Sequence, residues 1–324
     1  MALRESIMET KKRLGLMGLT IGPLQYWWPR TSLVQAYAEL AEGPADTFVL
    51  GEVTCSRRNE FTLLDWLALA RDLVSAGKRV RLATLPLLMS EAELRQLRRI
   101  AEQGEFAVEA GDAAALQRLA QQSERLPFTL GPHLNIYSRA ALVEHAGLGA
   151  DTWVAPLELA LDAVARVNPP TARVHGPAGA IQSEVFGFGR MPLAFSARCF
   201  TARHHRLSKD ECEFRCRDDA DGLLLSTTEG QPFLVLNGIS TQSAALHCLI
   251  GEGAALRAAG VDRLRLSPCS QGFARVVSLF DEVLHAGLPA DEARAELQAM
   301  PLPGALVNGF AHRQAGMVEE LAHV

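Results

Sequence analysis

Several things are scarce or missing in this chain. No run approaches the ~18 uninterrupted apolar residues of a membrane-spanning helix. There is no surplus of positive charge: 32 Lys and Arg stand against 37 Asp and Glu, for a net charge of −5. That balance, with an isoelectric point near 6.0, argues against a dedicated nucleic-acid binder. The N-terminal MALRESIMETKKRLG is charged, and only a short apolar run (14–21) follows it, with no clear cleavage pattern. A secretory leader is therefore not expected, and the expected setting is cytoplasmic and reducing. No Gly-x-Gly-x-x-Gly opens a helix after a strand, and there is no Walker loop, no His-Glu-x-x-His and no recognisable Ser-His-Asp arrangement. The motif-borne dinucleotide, phosphate, zinc-protease and serine-hydrolase chemistries thus have no foothold.

What is there reads as an ordinary globular chain: 324 residues, 48% hydrophobic and 21% charged, enough for one large domain or two smaller ones. Up to residue 180 a short apolar run alternates with an amphipathic stretch. The runs at 14–22, 46–53, 79–85, 106–110, 128–135, 152–158 and 172–177 are nearly continuous in apolar character. Strands covered by helices on both faces look like this. An eighth candidate is VDRLRLSP (261–268), followed by a helix from Gln271 to about His285.

The segments between carry helical periodicity. In FTLLDWLALARDLVSAGK, Leu63, Trp66, Leu67, Ala70 and Val74 share a face and Gly77 offers a C-cap. SEAELRQLRRIAEQG opens with Ser90 and has Glu93 three residues on, a capping-box signature. Eight βα units predict an α/β fold, a TIM-like (β/α)8 barrel forming a single domain over 1–324. A cysteine-bearing insertion at 181–245 falls between strands 7 and 8 and includes a hairpin turning at Glu229-Gly230. A doubly wound open sheet is the alternative.

Four of the six cysteines sit among charged residues. Cys199, Cys212 and Cys216 lie in SARCFTARHHRLSKDECEFRC, and Cys55 lies in GEVTCSRR. A structural cysteine behaves as a small hydrophobe and is usually flanked by apolar neighbours. Four converging thiolates make a soft sulfur cage for zinc or for an iron–sulfur cluster. Structural zinc sites favour two Cys-x2–4-Cys pairs, and here only Cys212 and Cys216 form a close pair; iron–sulfur clusters tolerate more varied spacing. Functional groups of such barrels gather at the C-terminal strand ends, where Cys55, the insertion and Cys269 all fall on this reading. Arg57, Arg58, Arg198, Arg203, Arg206, Lys209, Arg215 and Arg217 surround the thiols and favour thiolate over thiol.

Other candidates are weaker. Cys248 reads as core packing in a helix, and Cys269 as a reserve ligand. His133 and His175 stand at strand ends, where a proton-transfer role is open to them. His204 and His205 read as surface. Glu52 is a rim carboxylate or the partner of Arg57 or Arg58, and Asn237, Gln242 and Ser243 contact a ligand or cap the next helix.

GEVTCSRR, PLAFSARCFTARHHRLSKDECEFRC, LVLNGISTQS and DRLRLSP together resemble the UbiV family of oxygen-independent ubiquinone biosynthesis, within the collagenase-like peptidase superfamily. The resemblance spans nearly the whole chain. It implies a TIM-barrel-like protein holding a 4Fe-4S cluster through Cys55, Cys199, Cys212 and Cys216. It further implies a heterodimer with the homologous iron–sulfur protein UbiU, cooperation with the sterol-carrier-like UbiT, and a part in an anaerobic hydroxylase acting on a ubiquinone precursor ring. The superfamily also offers a metal- or thiol-dependent peptidase, and the bare cysteine pattern a non-catalytic zinc scaffold.

Overall fold

The structure, a computed structural model, describes residues 17–122 and 126–320. The charged N-terminal stretch and the start of the first expected strand, 14–16, lie outside the described residues. In chain order the strands are β1 (Gly18–Ile21), β2 (Thr47–Leu50), β3 (Arg79–Ala83), β4 (Ala107–Ala110), β5 (Phe128–Leu130), β6 (Ala150–Val154), β7 (His175–Gly176), β8 (Gly179–Ala180), β9 (Gln182–Phe195), β10 (Leu223–Ser226), β11 (Pro232–Asn237), β12 (Ser240–Cys248), β13 (Arg263–Leu266) and β14 (Leu306–Val307). Strands β1 to β6, β9 and β13 pair in parallel, and β13 returns to β1 with Gly18 opposite Arg263. The result is a closed eight-stranded TIM-like barrel with a helix after each strand, the expected fold. No helix of the described residues is long and apolar enough to cross a membrane.

Local chemistry explains the helices. Thr62 and Asp65 close a capping box on the helix Leu63–Ser75, and Ser90, Asp112 and Ser138 each accept from the third residue after them. These bonds satisfy backbone donors that a helix start leaves orphaned. Helix Leu63–Ser75 buries Trp66, Leu67, Ala70 and Leu73. Val74, expected on that face, is 48% exposed; the stripe follows Leu73 instead. The helix Ala290–Ala299, with Pro289 before it and Asp291 and Glu292 in its first turn, is an element beyond the eight expected units.

The seventh barrel strand is not where the apolar run at 172–177 placed it. His175–Gly176 forms a two-residue hairpin arm with Gly179–Ala180, off the barrel. The barrel strand is β9, whose start pairs with β6 and β13 and whose continuation leaves the barrel to pair antiparallel with β12. Gly189 permits that departure: its φ is +123°, and a Cβ there would meet Ser267 Cβ at 2.7 Å. Strands β10, β11 and β12 complete an antiparallel extension, with the expected hairpin between β10 and β11.

The barrel interior holds an ionic lattice. Arg265 donates to both oxygens of Glu109 and, from Nε, to Glu184 Oε1 at 2.6 Å. Arg263 reaches Thr20 Oγ1 at 3.0 Å and also pairs with Asp46. Arg81 donates to Thr152 Oγ1 at 3.0 Å and to Thr129. Buried charges survive only when paired and hydrogen-bonded in this way.

Candidate metal centre

The loop after β2 is built to present Cys55. Gly51 (φ +132°) lets the chain pass close to Ala83, where a Cβ would stand 2.9 Å from the carbonyl. The Glu52 carboxylate then accepts from the backbone N–H groups of Thr54 at 2.7 Å and Cys55 at 2.9 Å. Burial pushes the Glu52 carboxyl up, against the pull of Arg58 at 3.9 Å. Ser56 donates to Glu93 at 2.6 Å, anchoring the loop to the helix Glu91–Glu102 that follows β3. Glu93 is thus a support of the cysteine loop as well as the third residue after a cap.

The other three thiols come from between β9 and β10. Cys199 precedes the helix Phe200–His204, and its sulfur accepts from Ala202 N–H at 3.4 Å. Cys212 and Cys216 are not one α-helical turn apart, as their spacing suggests. Glu213 (φ 50°) and Phe214 (φ 56°) are both left-handed, and Cys216 sits in the short 3-10 turn Arg215–Arg217. Two successive non-glycine residues in that region cost roughly 1–2 kcal/mol each. Strain of this kind clusters at functional sites.

Aromatic packing holds the bend. Phe214 meets Trp27 edge-on, with ring centroids 4.8 Å apart, and the Arg217 guanidinium lies 3.9 Å over Trp27. Trp28 donates to the Ala220 carbonyl at 2.8 Å, and Arg57 to that of Asp210 at 2.8 Å. These bonds clamp the insertion to the barrel rim.

The four thiols line one recess with Trp27, Arg57, Arg58, Arg215, Phe214 and Gly238 among its walls; its open space is about 300 Å³. Of the cations the sequence places near the thiols, Arg58 alone is buried. Its guanidinium donates to Gln25 O at 2.7 Å and Asn237 Oδ1 at 2.6 Å. Burial alone would lower the Arg58 pKa, but Glu52 and the thiols of Cys216 and Cys55 raise it. Burial pushes the thiols of Cys55, Cys199 and Cys216 up; Arg58 pulls back on Cys55 and Cys216. Cys199 feels both Cys55 and Cys212, and Cys216 feels Cys199.

The donor set fits a sulfur-ligated group: soft thiols, a buried cation to balance their charge, and the indole Nε1 of Trp27, buried with no partner among the described residues. Among the described residues, no three His, Cys, Asp or Glu stand close enough to hold one metal ion as they lie. A single zinc at about 2.3 Å from each sulfur would need them drawn around a point; a four-iron cluster takes one thiolate per iron around a wider body.

The remaining candidates lie elsewhere. Cys269 is buried off this recess, donates to Gln271 O at 3.4 Å, and is pushed up to about 12 by burial. Cys248 ends strand β12 rather than lying in a helix, and burial pushes it up to about 11. His204 and His205 do not line the recess, His175 is exposed in its hairpin, and His133 lines a different cavity. Asn237, Gln242 and Ser243 are buried in strands and cap no helix. Asn237 and Gln242 bond to Gln25, whose carbonyl also receives Thr54. Gln25, Trp27 and Phe214 also support the site and lie outside the residues its sequence pattern marks. The consecutive Trp27-Trp28, two of only four tryptophans, were the available signal.

The family model described as peptidase family U32 matches residues 32–317. Among solved structures, the U32 peptidase Mk0906 is 14% identical, with a TM-score of 0.42 over 78% of this chain and 93% of that one. The spore cortex-lytic enzyme SleL of Bacillus megaterium is 11% identical, with a TM-score of 0.40 over 82% and 74%.

Proposed function

This chain belongs to peptidase family U32, and we propose that within it the chain is an iron–sulfur protein of an oxygen-independent ring hydroxylation in ubiquinone biosynthesis. The observation that carries the reading is the convergence of Cys55 with Cys199, Cys212 and Cys216 on one recess beside a buried arginine. In this reading the four thiolates hold a 4Fe-4S cluster, which supplies one-electron chemistry when bound. Arg58 offsets the charge of the thiolates, Glu52 and Glu93 fix the Cys55 loop, and Trp27 and Phe214 keep water from one side. The sequence resemblance adds UbiU as the heterodimer partner, UbiT as a further partner, a ubiquinone precursor as substrate and a cytoplasmic setting.

A peptidase is supported less well. A nucleophilic thiol needs an activating base and a lowered pKa. Burial moves Cys55, Cys199 and Cys216 the other way, and no histidine is among the residues lining the recess.

The functional test is genetic and chemical. Cells lacking the chain should accumulate an under-hydroxylated ubiquinone precursor without oxygen and make normal quinone with it. The native chain should restore synthesis; Cys212→Ser should not. Equal anaerobic quinone with and without the chain sinks the proposal.

A further inference from the structure

The C-terminal mouth of the barrel contains a cavity distinct from the thiol recess. Each of the eight barrel strands, or the loop after it, contributes to its wall, and its open space is about 560 Å³, part of it at the solvent-facing rim. Much of the wall is rigid and apolar: Pro23, Pro86, Pro132 and Pro192 stand with Phe186 and Phe195. Pockets that bind small molecules combine such walls with a few convergent polar groups.

The polar groups of this wall divide by whether their bonds are already spent. Arg265 is the one Lys or Arg among the described lining residues. Its Nη1 and Nη2 are both taken by Glu109 and its Nε by Glu184. Thr84 donates to Glu109 O and accepts from Gly111 N–H. Two groups are not spent. Ser267 Oγ accepts from Gln25 Nε2 at 3.0 Å, and its own proton goes to no acceptor among the described residues. His133 makes no hydrogen bond there and touches Phe195 edge-on at 4.8 Å. Burial, aided by Arg265, lowers its pKa to about 4, so near neutrality the ring carries one donor and one acceptor.

We propose that the barrel mouth binds a small uncharged ring-bearing molecule with a hydroxyl or carbonyl oxygen, held by the proline and phenylalanine walls and oriented by His133 and Ser267. An anionic ligand finds no free cation, because Arg265 is committed to two carboxylates. A cation finds Glu109, the carboxylate among the described lining residues, already held in a bidentate pair with Arg265. Thr54 lines this cavity and the next residue, Cys55, lines the thiol recess. The two cavities are thus lined by successive residues of the loop after β2. The binding site itself rests on the cavity, not on the metal.

The test is calorimetric titration of the full chain with p-cresol, and with p-toluate and 4-methylbenzylammonium as charged molecules of similar shape. The expected result is saturable one-site binding of p-cresol, with the charged pair at least about tenfold weaker, as a buried charge without a partner requires. Leu157→Trp fills the cavity from a half-buried loop position and should abolish binding at an unchanged melting temperature. His133→Phe keeps the wall apolar and should weaken p-cresol by about fivefold, one hydrogen bond's worth; it decides the matter if Leu157→Trp does not fold. Absence of saturable p-cresol binding, undiminished binding by folded Leu157→Trp, or equal affinity for p-toluate overturns the proposal. Binding is read without reference to iron, so its failure and a failure of the cluster reading show separately.

Discussion

Arg58 donates from Nη2 to Asn237 Oδ1 at 2.6 Å, joining the loop that carries Cys55 to the hairpin that ends the cysteine-bearing segment. The two residues also share the Gln25 carbonyl, at 2.7 Å and 2.8 Å. Replacing Arg58 by Met leaves Asn237 Oδ1 and the Glu52 carboxylate buried without their cation. The expected loss is about 3 kcal/mol, read as a lower urea midpoint, together with less bound iron. An unchanged midpoint with full metal content would show that the guanidinium is incidental.

Gly238 faces the same guanidinium. Its φ is +63°, and a Cβ would stand 3.0 Å from Arg58 Nη2. Gly230, in the hairpin turn, has φ +83° with nothing within 4 Å. Gly230→Ala should therefore cost backbone strain alone, about 1 kcal/mol, whereas Gly238→Ala should cost more and disturb the metal. Equal destabilisation by the two, measured by denaturant unfolding, would remove the case for close packing at Arg58.

Buried thiols set a pH dependence. Cys248 is pushed up to about 11 and Cys269 to about 12, from an ordinary 9.0. A raised folded-state value means that the fold prefers the neutral thiol. The stabilisation is full below the unfolded value and is lost as pH climbs through the folded one. The melting temperature of metal-free protein should hold between pH 7 and pH 8.5, at about the unfolded thiol value or below, and fall between about 9 and 11. Cys248→Ala should flatten part of that fall. The metal-loaded protein should respond in the other direction, releasing iron in acid, because ligation needs thiolates. A flat alkaline profile in native protein would contradict the burial argument.

In the barrel, Glu109→Gln removes one partner of a bidentate buried pair with Arg265. The expected cost is about 3–5 kcal/mol. A shift within error in thermal unfolding would mean that water reaches this lattice.

Much of the barrel was legible because a parallel strand covered on both faces is apolar throughout. All four residues of β2, Thr47 to Leu50, are buried, and caps such as Ser90 and Asp112 mark the helix starts. The seventh strand misled because β9 opens with three polar residues, Gln182, Ser183 and Glu184; Glu184 enters the interior lattice through Arg265 and Ser183 is bonded by Asn168, while Gln182 stays exposed. The 172–177 run, of which only Val174 is buried, looked more strand-like. At the site, the thiols were readable from their charged neighbours. Their support was not: Gln25 acts through its main-chain carbonyl, which leaves no trace in a side-chain pattern, and the left-handed Glu213-Phe214 bend replaces the helical turn that an i, i+4 spacing suggests.

Iron and acid-labile sulfide per chain, with the absorption spectrum, after anaerobic purification test the central claim most directly. The account predicts brown protein with a broad band at ~400 nm and roughly four irons per chain, lost in Cys216→Ala along with protease resistance in the segment between β9 and β10. Colourless protein with stoichiometric zinc, or undiminished iron in Cys216→Ala, would contradict it.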